Sequence, residues 1–363
     1  MKVVHLLPAL EQGGVESVVT ALNRMLVGRG QESVVVSRGG RLVETIEADG
    51  GRHIALDLKS KNPLTYFFRM FRLRRLLRAE KPDLVCVHSR VPAWLFVGAN
   101  RSLKLKWISY AHGANSVSAY SAVMTRGDRV VVPSRYLADY LRANYPIDES
   151  RLKIVANPVS GDRFDPARVD AEAVRRKREG WGVSGEAQVI LSVGRITPLK
   201  GFDTLIEAFA AVRTKLPRAR LVIVGGADRD KGAYLEALRR LAQNLGVAEA
   251  VTFAGQDSEV PVCLAAADVI VSANVRKPET FGLSIVEALL MNRPVIAKAF
   301  GGAKEIIEDG ESGLLVNEAS EFAGAIARAL DGSWAPANDL RARMLRRFNA
   351  ERFAEDTLKV YRF

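Results

Sequence analysis

The sequence predicts an α/β protein built from two doubly wound, parallel-sheet domains, and three observations lead there. Short β-branched runs alternate with amphipathic stretches along almost the whole chain. The runs are apolar nearly throughout instead of alternating with polar residues, as strands are when helices cover both faces of a sheet. The series breaks once, in a charged stretch at 164–186 that contains Pro166 and has no strand signal.

The first series reads VVHLL, SVVVS, HIALDL, DLVCVHS, WISYAH, RVVVPS and KIVAN, all within residues 1–163. The second reads VILSVG, RLVIVGG, AVTFAG, DVIVSA, RPVIAK and GLLV, within 187–338. Residues 164–186 are expected to link the two. Residues 339–363 are expected to form one or two helices that pack back on the first domain. A chain of 363 residues is long enough for two separate cores.

Composition narrows the function classes. Cys86 and Cys263 sit in apolar stretches far apart in the chain, which suits buried thiols in a reducing, cytoplasmic compartment. The opening MKVVHLL reads as a strand and is too short for a signal peptide, and no later run is long enough to span a membrane. The net charge of +12 is uneven, since residues 1–163 hold 25 basic and 14 acidic residues. That half either meets an anionic partner or is simply kept soluble by its charge. Nucleic acid is not expected, because the basic stretch lacks interleaved stacking residues.

In doubly wound sheets, ligands bind where loops leave the carboxyl ends of strands. Glu11-Gln12-Gly13-Gly14-Val15-Glu16 is such a loop, opening a helix whose free N–H groups suit an anion; it also reads as a plain turn. Gly194-Arg195-Ile196-Thr197-Pro198-Leu199-Lys200-Gly201 is a second, in which a planar guanidinium and an ammonium can converge on a diphosphate. The third, Pro278-Glu279-Thr280-Phe281-Gly282-Leu283-Ser284-Ile285-Val286-Glu287-Ala288, sets one carboxylate before a helix and another inside it. Ribose hydroxyls would satisfy Glu287, and N–H groups near Gly282, Leu283 and Ser284 would face phosphate oxygens; Glu287 could equally stabilise its own helix.

Taken in order, GGVE after the first strand, His112-Gly113 after the fifth, Asn157-Pro158-Val159, GRITPLKG, Glu279 with Glu287, and Gly301-Gly302-Ala303-Lys304-Glu305 resemble glycosyltransferase family 4. The resemblance implies the GT-B fold, two Rossmann-like domains with parallel sheets facing a central cleft. It also implies a retaining transferase that moves a sugar from a nucleotide-sugar, with UDP-sugar favoured over GDP-sugar, to a glycan or lipid-linked acceptor in cell-envelope or lipopolysaccharide synthesis. Arg195 and Lys200 would neutralise the leaving diphosphate, Glu287 would hold the ribose and Glu279 would contact the donor sugar. His112 would sit against that sugar, Gly14 would approach the phosphates or acceptor, and the loops at Gly225 and Phe253 would read the base.

Three departures stand out from the family pattern: Asn157-Pro158-Val159, Asn292 after the Glu287 helix, and the cations Arg276-Lys277 beside Glu279. Asn292 still allows a left-handed helix end. The cations leave the donor sugar open. No cofactor or metal is expected: the four histidines lack metal-ligand spacing, and Asp228-Arg229-Asp230 reads as a loop. A hydride-transfer enzyme is disfavoured by the missing GxGxxG, and a nucleotide-sugar epimerase on the same fold remains the alternative.

Residues 59–81, KSKNPLTYFFRMFRLRRLLRAEK, form a basic amphipathic helix. Its apolar residues Leu64, Phe67, Phe68, Phe71, Leu73, Leu76 and Leu77 are expected to pack on the sheet. Arg69, Arg72, Arg74, Arg75 and Arg78 are expected to face out, either to solvent or to an anionic membrane surface.

Overall fold

The structure is a computed structural model that describes every residue except Gln12, Ser184 and 227–231. The Asp228-Arg229-Asp230 stretch and Gln12 of the first glycine loop therefore lie outside the described residues. The chain divides into two compact units, one made of Met1–Pro158 with Ala350–Phe363 and the other of Val159–Asn349.

Unit 1 holds a seven-stranded sheet of β1 Lys2–Leu6, β2 Glu32–Ser37, β3 Arg52–Ala55, β4 Leu84–Val87, β5 Trp107–Tyr110, β6 Arg129–Val132 and β7 Leu152–Ile154. Their order is β3-β2-β1-β4-β5-β6-β7 and every pairing is parallel. Unit 2 holds a six-stranded parallel sheet of β8 Gln188–Val193, β9 Ala219–Val224, β10 Val251–Gly255, β11 Val269–Ser272, β12 Val295–Lys298 and β13 Gly313–Val316, in the order β10-β9-β8-β11-β12-β13. All thirteen expected strands are present. Alternate residues explain their unbroken apolar character: Val4, Leu6, Val85 and Val87 enter one core while Val3, Leu84, Cys86 and Ile108 enter another on the opposite face. In each unit the strand order reverses once, between β1 and β4 and between β8 and β11, so the loops leaving those strands diverge and open a crevice.

Three stretches depart from expectation. Residues 164–186 contain a helix, Ala171–Gly180, capped by Asp170, whose carboxylate accepts from the Glu172 and Ala173 N–H groups. Lys177 on it donates to Asp257 at 2.8 Å and Glu259 at 3.0 Å, and Arg178 donates to the Ala266 carbonyl at 2.9 Å. This stretch is part of unit 2, and its charges serve ion pairs there. The C-terminal residues are shared out: Leu340–Phe348 lies in unit 2 and Ala350–Tyr361 in unit 1. In unit 1, the buried Tyr361 hydroxyl meets Tyr110 Oη at 3.0 Å and Cys86 Sγ at 3.3 Å.

The helix Tyr66–Glu80 is rotated from the expected orientation. Leu73 and Leu77 are buried, and so is Arg69, one turn before Leu73. The Arg69 guanidinium donates to Thr65 Oγ1 at 3.1 Å and the Asn62 carbonyl at 3.1 Å, so the preceding loop satisfies it. Leu64, Phe67, Phe68 and Phe71 are instead 89, 67, 64 and 56% exposed. No described helix is long and apolar enough to cross a membrane. Cys86 and Cys263 are free and buried, and burial pushes both thiols up to about 12.

Candidate active site

The two loops that leave β8 and β11, on either side of the reversal in unit 2, carry the expected cations and carboxylates. Lys200, in a short turn after β8, forms an ion pair with Glu279, which follows β11. Asn274 Nδ2 donates to the same Glu279 oxygen at 2.7 Å. Burial alone would push Glu279 up, but the Lys200 charge and hydrogen bond, then Asn274 and the Arg195 charge, hold it below the usual carboxylate range. Glu279 is thus ionised at neutral pH. Arg195 is exposed, with no ion-pair partner among the described residues.

Backbone contacts lock the two loops together. Gly201 has φ +66°, and a Cβ there would lie 1.8 Å from the Ala273 carbonyl oxygen, so only glycine lets the Lys200 turn approach the end of β11. Behind Glu279, its carbonyl accepts from the Gly302 N–H at 2.8 Å and it pairs with Gly301. The Gly301-Gly302 motif therefore braces the loop that presents Glu279. Arg276 is turned away from Glu279: it donates to the Pro198 carbonyl at 2.6 Å and to Asp203 Oδ1 at 3.0 Å. Although it is close to Glu279 in sequence, its charge is thus taken up by Asp203. It tethers the β11 loop to the β8 loop instead.

Gly282, at φ +105°, caps the helix Leu283–Leu290. The N–H groups of Gly282, Leu283 and Ser284 have no acceptor among the described residues and form a ready anion site. One turn along, Glu287 has no hydrogen-bond or ion-pair partner among the described residues, and burial raises it to about 7 against a weaker downward pull from Arg163. Asn292 ends this helix at φ +53°, the left-handed conformation expected of it, and its Oδ1 accepts from the Arg341 N–H at 3.1 Å.

The remaining expected residues fall into two groups. A Cβ on Gly225, after β9, would lie 1.8 Å from the Gly194 carbonyl oxygen, so this glycine lets two strand ends meet. Phe253 lies inside β10 with one side on the core and Arg239 about its ring at 6.0 Å. Its surroundings are those of sheet packing, not of an open loop. Gly14 begins the helix Gly14–Val27 after β1, and His112 follows β5; both belong to unit 1 and lie at the carboxyl edge of its sheet. Sequence reasoning did not single out Asn274 or the Gly301–Glu279 brace, because only the folded loops bring them to Glu279.

Two parallel-sheet Rossmann-like units, with cations, a paired carboxylate and a bare helix end at a strand-order reversal, define a GT-B glycosyltransferase fold. The model for Glycosyltransferase Family 4 matches residues 12–163 and that for Glycosyl transferases group 1 matches residues 174–347. The GDP-mannose-dependent alpha-(1-6)-phosphatidylinositol monomannoside mannosyltransferase of Mycobacterium tuberculosis is 33% identical over 71% of this chain and 69% of its own length. The D-inositol 3-phosphate glycosyltransferase of Acidothermus cellulolyticus is 36% identical over 66% of this chain. The chain spans about half the length of that relative, 54%. A glycosyltransferase structure from Rickettsia africae superposes with a TM-score of 0.87 at 26% identity, covering 99% of this chain and 97% of that one. Anabaena HepE, solved with UDP and glucose, has the same fold with a TM-score of 0.87 at 21% identity, covering 99% of both chains. The chain belongs to glycosyltransferase family 4. The matching family models and the named relatives are glycosyltransferases.

Proposed function

We propose that the chain transfers a glycosyl group from a nucleoside diphosphate sugar to an acceptor hydroxyl, with retention at the anomeric carbon and no requirement for a divalent metal. The observation that carries this reading is the junction of Arg195, Lys200, ionised Glu279 and the free N–H groups of the Leu283–Leu290 helix. As the bond from the anomeric carbon to the diphosphate breaks, charge grows on the leaving oxygen. Fixed donors aimed there strengthen most in the transition state. The acceptor oxygen bonds to the same face of the carbon, and its proton passes to the departing phosphate. A UDP-sugar remains the favoured donor, with the GDP-sugar named for the mycobacterial relative as the alternative. A thermal-shift screen over nucleotide-sugars should find one that stabilises the fold. Product NMR with that donor is expected to show retention in the presence of EDTA; inversion or a strict metal requirement would overturn the reading.

Glu287 takes the ribose. Donating hydroxyls favour its carboxylate form, so nucleotide binding releases a proton, and affinity weakens as pH falls through about 7. Calorimetry near neutral pH in two buffers of different ionisation enthalpy is expected to show this release in the parent and its absence in Glu287→Gln. Because the folded group sits above its ordinary 4.5, folding takes up a proton between 4.5 and about 7. The group costs stability only as pH rises through that window, so Glu287→Gln should unfold at a higher temperature than the parent on the alkaline side alone.

The acceptor is carried on lipid, and the protein is peripheral at an anionic bilayer. Support comes from exposed Leu64, in the short turn before the Tyr66–Glu80 helix, and from exposed Phe67, Phe68 and Phe71 in the first half of that helix, ahead of Arg72, Arg75 and Arg78. An apolar tip followed by cations matches the acyl and headgroup layers in depth. A helix that connects parallel β3 to β4 begins at the carboxyl edge of the sheet, the edge that holds Gly14 and His112. Insertion of this tip therefore sets that edge against the bilayer surface.

A further inference from the structure

The helix Leu283–Leu290 has a different neighbour at each end. At its start lie the N–H groups of the anion site, and Glu287 stands one turn further on. At its far end the Leu290 carbonyl accepts from the Arg341 guanidinium at 3.1 Å. The same guanidinium donates to the Gly161 carbonyl at 2.9 Å and to the Phe164 carbonyl, and it pairs with Asp165 at 3.2 Å. Arg341 therefore fastens residues 161–165 to the C-terminal end of the helix that carries Glu287.

Arg163 lies between those anchored residues. It is exposed, has no ion-pair partner among the described residues, and makes only a long contact of 3.5 Å with the Ser258 carbonyl, in the loop after β10. Its charge reaches Glu287. The backbone on either side of it is fixed while the guanidinium is loosely held, so the fork can turn onto a ligand without the cost of ordering its loop.

Direction along the helix decides which part of a ligand it meets. Phosphate and base are attached at opposite ends of the ribose ring. A nucleoside diphosphate with its phosphates at the start of the helix and its ribose on Glu287 therefore sends its base toward the far end, where residues 161–165 are fastened. A guanidinium only donates, so it needs an acceptor there. Uracil offers its O4 oxygen and guanine its O6 oxygen, whereas cytosine and adenine carry an amino group at the corresponding place. We propose that Arg163 is a specificity-determining residue that donates to the base carbonyl, uracil O4 or guanine O6, and disfavours cytosine and adenine nucleotides. This inference rests on the reading that the nucleotide lies along this helix with its ribose on Glu287.

Titration calorimetry of the full chain with UDP, CDP, GDP and ADP tests it. The parent is expected to bind UDP more tightly than CDP, and GDP more tightly than ADP, by about fivefold or more in each pair. Arg163→Ala is expected to level both pairs by weakening UDP and GDP while sparing CDP and ADP; an exposed side chain can be removed without disturbing the fold. Arg163→Gln, whose amide can either donate or accept, is expected to level them by strengthening CDP and ADP. Equal weakening of all four nucleotides by Arg163→Ala would assign the charge to a part they share and overturn the base contact. Unchanged affinities in that variant, or a parent that prefers CDP or ADP within its pair, would overturn it too. A parent that binds none of the four would instead bring down the nucleotide site itself, and the inference with it.

Discussion

Lys200→Ala is expected to lower sugar-transfer turnover by on the order of a hundredfold or more, and Arg195→Ala by a comparable factor, as for other lost transition-state donors. The two should differ in how activity responds to pH. Lys200 is the main counter-charge of Glu279, whereas Arg195 contributes least of the named influences. Without Lys200, burial is opposed chiefly by the Asn274 hydrogen bond and Glu279 moves up toward neutrality. Turnover of Lys200→Ala should therefore fall further as pH is lowered, while Arg195→Ala should keep the parent's profile. A second signature is coupling: Lys200→Ala combined with Glu279→Gln should cost less than the two single losses together, because the pair acts as one unit. Steady-state kcat over a pH series for the five enzymes, the parent, the three single variants and the double variant, checks both points. Turnover of Lys200→Ala within a few-fold of the parent would remove Lys200 from the reaction.

Replacing Leu64, Phe67, Phe68 and Phe71 together with serine is expected to abolish sedimentation with liposomes of any charge. Each side chain already stands in solvent, so the change removes no core contact, and each contributes about 1 kcal/mol or more on leaving water. Four such losses amount to about a thousandfold in partitioning. Neutralising Arg72, Arg75 and Arg78 should act differently, erasing the preference for anionic over zwitterionic vesicles and the sensitivity to salt while leaving weak residual binding. Far-UV circular dichroism verifies that both variants stay folded. Unchanged sedimentation of the serine variant would eliminate the helix tip as the docking element.

The Tyr66–Glu80 helix also shows where sequence reading stops. The strands of unit 1 were legible because apolar runs buried on both faces leave no other architecture open. The helix has apolar residues on two arcs, and a count of hydrophobic positions cannot say which arc meets the sheet. The answer depended on Arg69, whose charge is satisfied by the Asn62 carbonyl and Thr65 hydroxyl of its own preceding loop, so that it can be buried beside Leu73 and Leu77. In unit 2, the cations and carboxylates of the two loops stood out because strand ends are where charge in glycine-rich turns needs explaining. The partner of each charge did not. Arg276 sits three residues from Glu279 in sequence yet bonds Asp203, while Lys200, on a different loop, takes Glu279. Pairing is decided by which loops meet, and the glycines at 201, 301 and 302 determine that only once the strands are ordered.

Unit 2 is an insertion within unit 1, since the chain leaves unit 1 at Pro158 and re-enters it at Ala350. During synthesis at about 5–20 residues per second, the whole of unit 2 emerges before the last helix of unit 1 is available. The nascent first sheet must wait about ten seconds or more with the surface that receives Tyr361, around Cys86 and Tyr110, uncovered. Unit 2 has no such delay, because its residues are contiguous. Chaperone dependence and aggregation on the ribosome therefore belong to the first unit, and a release factor arriving early, or a nonsense codon just after Asn349, would leave a finished second unit attached to an unfinished first one.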